Sequence, residues 1–206
     1  QDRFLAPNAP VDAWMDDSAE LGDLMAQPYR LLSVEEEGWG SSARATVHLA
    51  GDGTLCVDGQ RVVVAILKRI RMYANRAQVQ VKWSVEFERP LPAACDFGVE
   101  CNISGLGADP VALAVTPTAA SDATTGPAEH VGATVAYDHV GLQVTLEATG
   151  FDSLDRAAIT TVARPVGGVC TPCFQGVSLL VRRPIPAGTR QFACGLTLLA
   201  KAAAPD

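Results

Sequence analysis

The sequence contains few of the residues and patterns on which enzyme chemistry depends. Its three histidines, His48, His130 and His139, have no neighbours at the spacing of a metal site or a catalytic triad. No serine occupies a Gly-x-Ser-x-Gly motif, and no glycine-rich loop precedes a lysine. From these absences we expect a protein that is not an enzyme and that has no catalytic residue, no cofactor and no metal site.

A long hydrophobic run is also missing. The longest apolar run covers residues 62–67, whereas a membrane-spanning helix needs about 20 apolar residues. We therefore expect no insertion into a membrane. The chain begins at Gln1 without a leader segment, which indicates either a fragment or a product of proteolytic processing.

Lysine is scarce, and negative charge is concentrated near the N-terminus. The 206 residues include three lysines against thirteen arginines, and the net charge is -7. Residues 1–37 carry nine acidic and two basic side chains, so they account for the whole net charge. Such a segment repels phosphate groups, which argues against contact with nucleic acid. We predict an acidic N-terminal arm over residues 1–37 and a single folded domain over residues 38–206.

Six cysteines leave two interpretations open. On a strand, Cys95 and Cys101 would lie roughly 20 Å apart, well beyond the ~7 Å limit for a disulfide. Cys170 and Cys173 form the one closely spaced pair that has a recognisable motif, and a structural zinc site needs a second such pair. The spacing favours buried free thiols that pack as small apolar groups, and the alternative is a secreted protein with disulfides.

Alternation of apolar and polar residues predicts a sheet protein. Within residues 78–88, Val79, Val81, Trp83 and Phe87 share one face, which is typical of a half-buried strand. We therefore predict that Trp83 is a core residue. Weaker copies of the pattern predict seven more strands, over residues 43–50, 54–57, 96–104, 134–148, 157–163, 176–183 and 190–201.

Three segments depart from this alternation. Residues 61–75 place larger apolar side chains at helical spacing and basic side chains opposite them, which predicts a helix, although three adjacent valines also suit a strand. Residues 51–53, Gly-Asp-Gly, predict a tight turn between two strands. Residues 105–132 predict a long surface loop, and such loops on rigid scaffolds often carry recognition.

The order of these elements resembles the single jelly roll of icosahedral virus coat proteins. Residues 65–69, Ala-Ile-Leu-Lys-Arg, lie in the predicted helix, which leads into the alternating strand from residue 77. The last two strands flank a proline-containing loop, as in that fold. The similarity covers roughly residues 43–201. It is nearest to the small coat protein of comovirus-type viruses, within the picornavirus-like group.

This resemblance implies an all-β protein, a single eight-stranded antiparallel jelly-roll sandwich with one short helix and an extended N-terminal arm. It implies a structural capsid subunit that assembles with other capsid subunits into an icosahedral shell. The expected location is the virion, and the expected site of contact with a host receptor is the surface loops. The residues themselves leave an alternative open. This alternative is a secreted β-sandwich recognition module, of carbohydrate-binding or adhesin type, with disulfides and with its site on the 105–132 loop.

The predicted arm holds too many apolar residues for a purely solvated tail, and we expect it to bind a neighbouring subunit. Its acidic side chains would face the basic side of the predicted helix. The candidate subunit interface consists of Trp14, Leu21, Leu24, Tyr29, Lys68, Arg69 and Arg71.

Overall fold

The structure is a computed structural model, and it describes residues 1–104, 113–118, 130–163 and 171–202. These residues form twelve strands and one short helix, α1 (Val11–Met15). The strands are β1 (Asp2–Leu5), β2 (Arg30–Glu37), β3 (Arg44–Val57), β4 (Gln60–Tyr73), β5 (Arg76–Phe87), β6 (Cys95–Ser104), β7 (Leu113–Thr118), β8 (His130–Tyr137), β9 (Leu142–Thr149), β10 (Ser153–Ala163), β11 (Thr171–Ile185) and β12 (Gln191–Ala202).

The strands form two antiparallel sheets that pack face to face. The four-stranded sheet has the order β1-β6-β11-β10, and the eight-stranded sheet has the order β2-β3-β4-β5-β12-β9-β8-β7. The prediction of an all-β sandwich is therefore confirmed. The eight-stranded jelly roll is not confirmed, because the described residues form twelve strands and β2 to β5 follow one another as adjacent hairpins.

The main core lies between the sheets and is rich in aromatic rings. Trp83 is 2% exposed, and its ring packs edge-on against Phe151 with 6.4 Å between centroids. Phe97 contacts Phe4 and Phe192 at 5.2 and 5.3 Å. Contacts of this geometry add to the free energy gained by burying the rings. The prediction that Trp83 is a core residue is confirmed.

The predicted helix over residues 61–75 is wrong, because this segment forms β4. Val62, Val64 and Ile66 are buried and alternate with exposed residues, which is the period of a strand. Their β-branched side chains favour that conformation. The apolar pattern of this segment suits a helix as well as a strand. Because β4 pairs with β3 on one side and with β5 on the other, the segment forms a strand.

The predicted turn at residues 51–53 is also wrong. β3 runs through these residues, and the chain reverses at Asp58 and Gly59, whose φ angles are 51° and 68°. An Asp-Gly pair with positive φ at both positions forms the two-residue turn that matches the twist of a hairpin.

The glycines of residues 51–53 instead make room for the N-terminal segment. A Cβ at Gly51 would lie 2.8 Å from the ring of Tyr29, and a Cβ at Gly53 would lie 3.2 Å from the side chain of Leu24. The two glycines that predicted a turn are therefore explained by the close packing of the N-terminal segment on β3.

The predicted strand over residues 134–148 is divided between two strands. β8 and β9 pair with each other, and they are joined by a 3-10 turn (Asp138–Val140) and by Gly141 with a φ of 62°. The predicted 105–132 loop contains β7 and the start of β8, and most of its other residues lie outside the described ranges.

Residues 1–37 belong to the sandwich and do not form a separate arm. β1 pairs with β6, and β2 pairs with β3, so the segment supplies an edge strand to each sheet. Between these strands, Trp14 and Ala19 pack with Leu5 and Leu180 in a second, smaller core. Trp14 and Leu24, two of the apolar side chains that predicted a contact with a neighbouring subunit, are therefore buried within their own chain, whereas Leu31 and Leu32 on β2 are exposed.

A cluster of charges fixes this segment to the four-stranded sheet. The Arg3 side chain is 6% exposed, and its guanidinium lies 2.6 Å from a carboxylate oxygen of Asp17, 2.9 Å from Glu100 and 4.0 Å from Glu20. Arg3 also donates a hydrogen bond to the carbonyl oxygen of Trp14 at 2.9 Å. One cation therefore faces three carboxyl groups, which leaves an excess of negative charge at a partly buried place.

The pKa of Glu20 in this cluster is raised. Burial raises the pKa of Glu20 to about 7, although the hydrogen bond from the Phe4 amide and the charge of Arg3 act in the opposite direction. The folded chain thus binds this proton more tightly than the unfolded chain, in which the pKa is near the ordinary 4.5. The resulting stabilisation is fully present below the unfolded pKa and is lost as the pH rises through about 7.

Substitution of Gly51 tests the close packing on β3. Gly51→Ala should lower the free energy of unfolding by about 1–3 kcal/mol, because the added methyl group would press on the ring of Tyr29. Gly195→Ala is the matched control, since a Cβ at that strand glycine would have no contact closer than 3.5 Å. Urea denaturation measures both changes. Equal stability of the two variants would contradict the packing role of Gly51.

Substitution of Glu20 tests the proton bound in the charge cluster. Glu20→Gln should raise the free energy of unfolding near pH 8 and change it little near pH 5, since glutamine keeps an acceptor for the Phe4 amide and needs no proton to be neutral. Urea denaturation at several pH values between about 5 and 8 measures this difference. Glu36→Gln, at an exposed position, is the control. A difference that is constant over this range would show that Glu20 does not bind the proton.

Candidate functional site

An open cleft lies where the β2–β3 hairpin meets the end of β4, and we call it the Trp39 cleft. Residues 38–43 connect the two strands of the hairpin and include a 3-10 turn (Gly40–Ser42). The cleft has a volume of about 630 Å³, which is within the range of about 300–1,000 Å³ for small-molecule sites. Its main lining side chains are Glu36, Glu37, Trp39, Arg44, Met72 and Tyr73.

The indole ring of Trp39 is exposed to solvent, and hydrogen bonds hold the backbone of this residue in place. The side chain is 93% exposed. Its amide donates to the hydroxyl oxygen of Ser42 at 3.3 Å, and the Ser42 hydroxyl and amide donate to the Trp39 carbonyl oxygen at 2.8 and 3.2 Å. Gly38 has a φ of 79°, and a Cβ there would lie 2.7 Å from the carbonyl oxygen of Ser42. The loop therefore requires glycine before Trp39 and holds the tryptophan backbone in place.

Polar groups of both signs lie beside this ring. Glu37 and Arg44 are directly paired across the hairpin and form an ion pair, in which Arg44 Nε donates to Glu37 at 3.0 Å. Both side chains are nearly half exposed, so the pair is solvated and contributes little to stability. Glu36 adds a second carboxylate to the lining. The cleft thus offers hydrogen-bond acceptors and donors that remain accessible to a ligand.

Tyr73 adds a second aromatic ring whose position is fixed. The guanidinium of Arg76 lies 4.0 Å from the centroid of the ring, and the Tyr73 hydroxyl donates to Gln80 at 2.8 Å. Met72, next along β4, is 42% exposed. Apolar surfaces combined with a few convergent polar groups are typical of ligand sites.

Three predicted interface residues lie in the interior of their own chain. Trp14 is 0% exposed and Leu24 is 3% exposed, and Leu21 packs against the main core. Their assignment to a subunit interface is wrong. Because β1 pairs with β6 and β2 pairs with β3, the residues between β1 and β2 pack against the sandwich.

Tyr29 and Lys68, also predicted at the interface, meet inside the sandwich. A carboxylate oxygen of Asp2 accepts hydrogen bonds from the Tyr29 hydroxyl at 2.5 Å and from the Lys68 ammonium at 2.8 Å. The ammonium lies 5.0 and 5.3 Å from the ring centroids of Tyr29 and Trp83. Burial raises the pKa of Tyr29, and the charge of Asp2 adds to this effect. The contact between N-terminal acid and Lys68, predicted between subunits, is therefore made within one chain.

Arg69 and Arg71 lie on the outer side of the eight-stranded sheet, near His48. Arg71 donates to the hydroxyl of Thr46 at 3.3 Å. His48 Nε2 lies 3.5 Å from a carboxylate oxygen of Glu35, a partner that comes from the adjacent strand and that sequence spacing does not indicate. The role of Arg69 and Arg71 in a subunit interface stays a prediction.

The five described cysteines are free thiols. Burial raises the pKa of Cys95 and Cys194 to about 12 and that of Cys101 to about 11. These three thiols therefore stay protonated at neutral pH and are poor nucleophiles. Cys173 is free, and its predicted partner Cys170 lies outside the described residues. The disulfides required by the secreted-module interpretation are not found among the described cysteines.

Three further observations concern the described part of the chain. No three histidine, cysteine or acidic side chains come together there as a metal site. No helix in the same ranges is long and apolar enough to cross a membrane. Residues 105–112 and 119–129, which make up most of the predicted recognition loop, lie outside those ranges.

Chemical motifs in the sequence do not indicate the Trp39 cleft. A signal is nevertheless present in Gly38-Trp39-Gly40, where a large apolar side chain stands between two glycines and just before a strand. Glycine on both sides favours an irregular loop, and a tryptophan in such a loop has no strand face on which to be buried.

Comparisons with known proteins find a similarity to a solved structure. No family model matches the sequence, and no curated protein matches it. Among solved structures, the chain is similar to a 4-alpha-glucanotransferase from Thermococcus litoralis, with a TM-score of 0.65 and 20% sequence identity over 97% of this chain. The match covers 27% of that protein, so the chain spans about a quarter of its length. At this identity the similarity shows a shared fold and no more.

This similarity corrects two predictions. The function of a capsid subunit is wrong, because a solved structure that shares the fold is a glucanotransferase and neither the family models nor the curated proteins support a coat protein. The prediction that the chain is not an enzyme is contradicted by the same finding. The capsid prediction relied on the order of strands and loops, which unrelated β-sandwiches share. The prediction of no enzyme relied on the absence of catalytic motifs from the sequence. The predicted capsid partners, host receptor and location in a virion depended on that function and stay untested.

Proposed function

We propose that the chain is the β-sandwich domain of an enzyme that acts on α-linked glucans, and that it supplies contacts to the glucan. The observation that carries this proposal is the similarity of 97% of the chain to part of a 4-alpha-glucanotransferase. A single shared hairpin cannot account for a match of this extent, because 97% of the chain necessarily includes strands of both sheets. The fold supports the class of substrate, whereas the residues that touch it must be argued from the surface.

The electrostatics of the chain support an uncharged substrate. The net charge is -7, and the acidic side chains in residues 1–37 produce it. A protein with this charge repels phosphorylated ligands and polyanions at moderate ionic strength. Glucans carry no charge, so they approach without this penalty.

Affinity electrophoresis tests the proposed function. We expect soluble starch in a native gel to slow the migration of the protein relative to a gel without polysaccharide, because a protein that binds a large polymer moves with it. Hydroxyethylcellulose, whose glucose units are joined by β linkages, is the control polymer and should not slow it. Unchanged migration in starch would contradict the proposal.

A further inference from the structure

We propose that the Trp39 cleft binds a segment of α-linked oligosaccharide by stacking a sugar ring on Trp39 and by hydrogen bonds to Glu37 and Arg44. This inference rests on the proposed function, because it names the place where the glucan would be held. Four properties of the cleft support it: the free indole, the ordered loop, the accessible ion pair and the local charge.

The indole of Trp39 has a free apolar face. Of the three tryptophans, Trp14 is 0% exposed, Trp83 is 2% exposed and Trp39 is 93% exposed. Tryptophan is usually well buried, because its ring exposes a large apolar area to water. A pyranose ring presents C–H groups on its faces, so stacking removes apolar surface of both partners from water. A flat ligand with such faces therefore suits this side chain.

The order of the loop lowers the cost of binding. Three hydrogen bonds between Trp39 and Ser42 fix the backbone of the tryptophan. A tryptophan side chain has two rotatable bonds, so little conformational entropy is lost when a ligand holds it. The site is thus largely formed before the ligand arrives, which favours affinity.

The ion pair in the cleft suits the hydroxyl groups of a sugar. A hydroxyl both donates and accepts, so neighbouring hydroxyls can donate to Glu37 and accept from Arg44. Since the two side chains are 46% and 42% exposed, a ligand reaches them without breaking a buried contact. Hydrogen bonds to charged groups are stronger than those between neutral groups.

The local charge selects against anionic ligands. Glu35, Glu36 and Glu37 are consecutive on β2, and Arg44 is the one cation in the lining of the cleft. Within the lining, the two carboxylates of Glu36 and Glu37 outnumber the guanidinium of Arg44, and Arg76 lies on the ring of Tyr73. The lining charge therefore disfavours a phosphate group. A nucleotide or a phosphosugar fits this surface less well than an uncharged oligosaccharide.

Fluorescence of the intact protein offers a selective readout of the cleft. Because Trp14 and Trp83 are buried, acrylamide should quench mainly the emission of Trp39. Maltoheptaose should protect that emission from quenching, and its titration gives a dissociation constant. Cellohexaose, a β-linked oligosaccharide, is the control ligand and should protect it much less.

Two variants separate the cleft from the rest of the surface. Trp39→Ala should weaken the binding of maltoheptaose by about tenfold, measured by isothermal titration calorimetry. Leu31→Ala is the matched control, since Leu31 is an exposed apolar residue of β2 that does not line the cleft. It should bind maltoheptaose like the wild type. Circular dichroism checks that both variants are folded, as expected for changes at exposed positions.

The outcomes distinguish this inference from the proposed function. Loss of binding in Trp39→Ala with retention in Leu31→Ala supports the cleft as the site. If the wild type binds starch and maltoheptaose while Trp39→Ala binds them equally well, the cleft is not the site and the proposed function stands. If the wild type binds neither, the proposed function fails and this inference fails with it. Equal protection by cellohexaose overturns the assignment to α-linked glucans.

Discussion

The four residues of β1 connect the layers of the molecule. Successive side chains of a strand point to opposite faces of its sheet. Asp2 therefore reaches Lys68 of the eight-stranded sheet, at 2.8 Å, while Arg3 reaches the carboxylates on the other side. Phe4 points to the same side as Asp2 and lies in the main core. Leu5 points to the same side as Arg3 and lies in the smaller core. Each side of the strand thus carries one charged and one apolar side chain.

The charges at the start of β1 determine the register of the strand more than its stability. The cost of removing two ions from water offsets most of their attraction, so buried ion pairs are weak evidence for stability. A shift of one residue would, however, exchange the two faces of the strand. Arg3 would then face Lys68, and Asp2 would face Glu100 and its neighbours. Because both placements bring like charges together, the observed register is strongly preferred.

The sequence predicted the strands best where one face is buried and the other is solvated. β5 and β12 have this pattern, and both were found close to their predicted positions. β4 was misread because apolar residues occur on both of its faces, and only pairing with β3 and β5 decides between helix and strand. The N-terminal segment was misread because its acidity suggested solvation, whereas several of those acids meet cations within the chain. The Trp39 cleft has no motif, since its chemistry arises when residues 36–44 and the end of β4 come together.

The cleft and the core depend on different parts of the sequence. Glu37, Trp39 and Arg44 are exposed and do not contribute to either hydrophobic core, so substitutions there change the surface without removing buried contacts. Selection can therefore alter the cleft while the sandwich persists, which is consistent with a shared fold at 20% sequence identity. The same separation explains why the order of strands suggested the wrong function: it describes the scaffold, and the scaffold is common to proteins of unrelated activity. The function of this chain therefore depends on exposed side chains such as Glu37, Trp39 and Arg44.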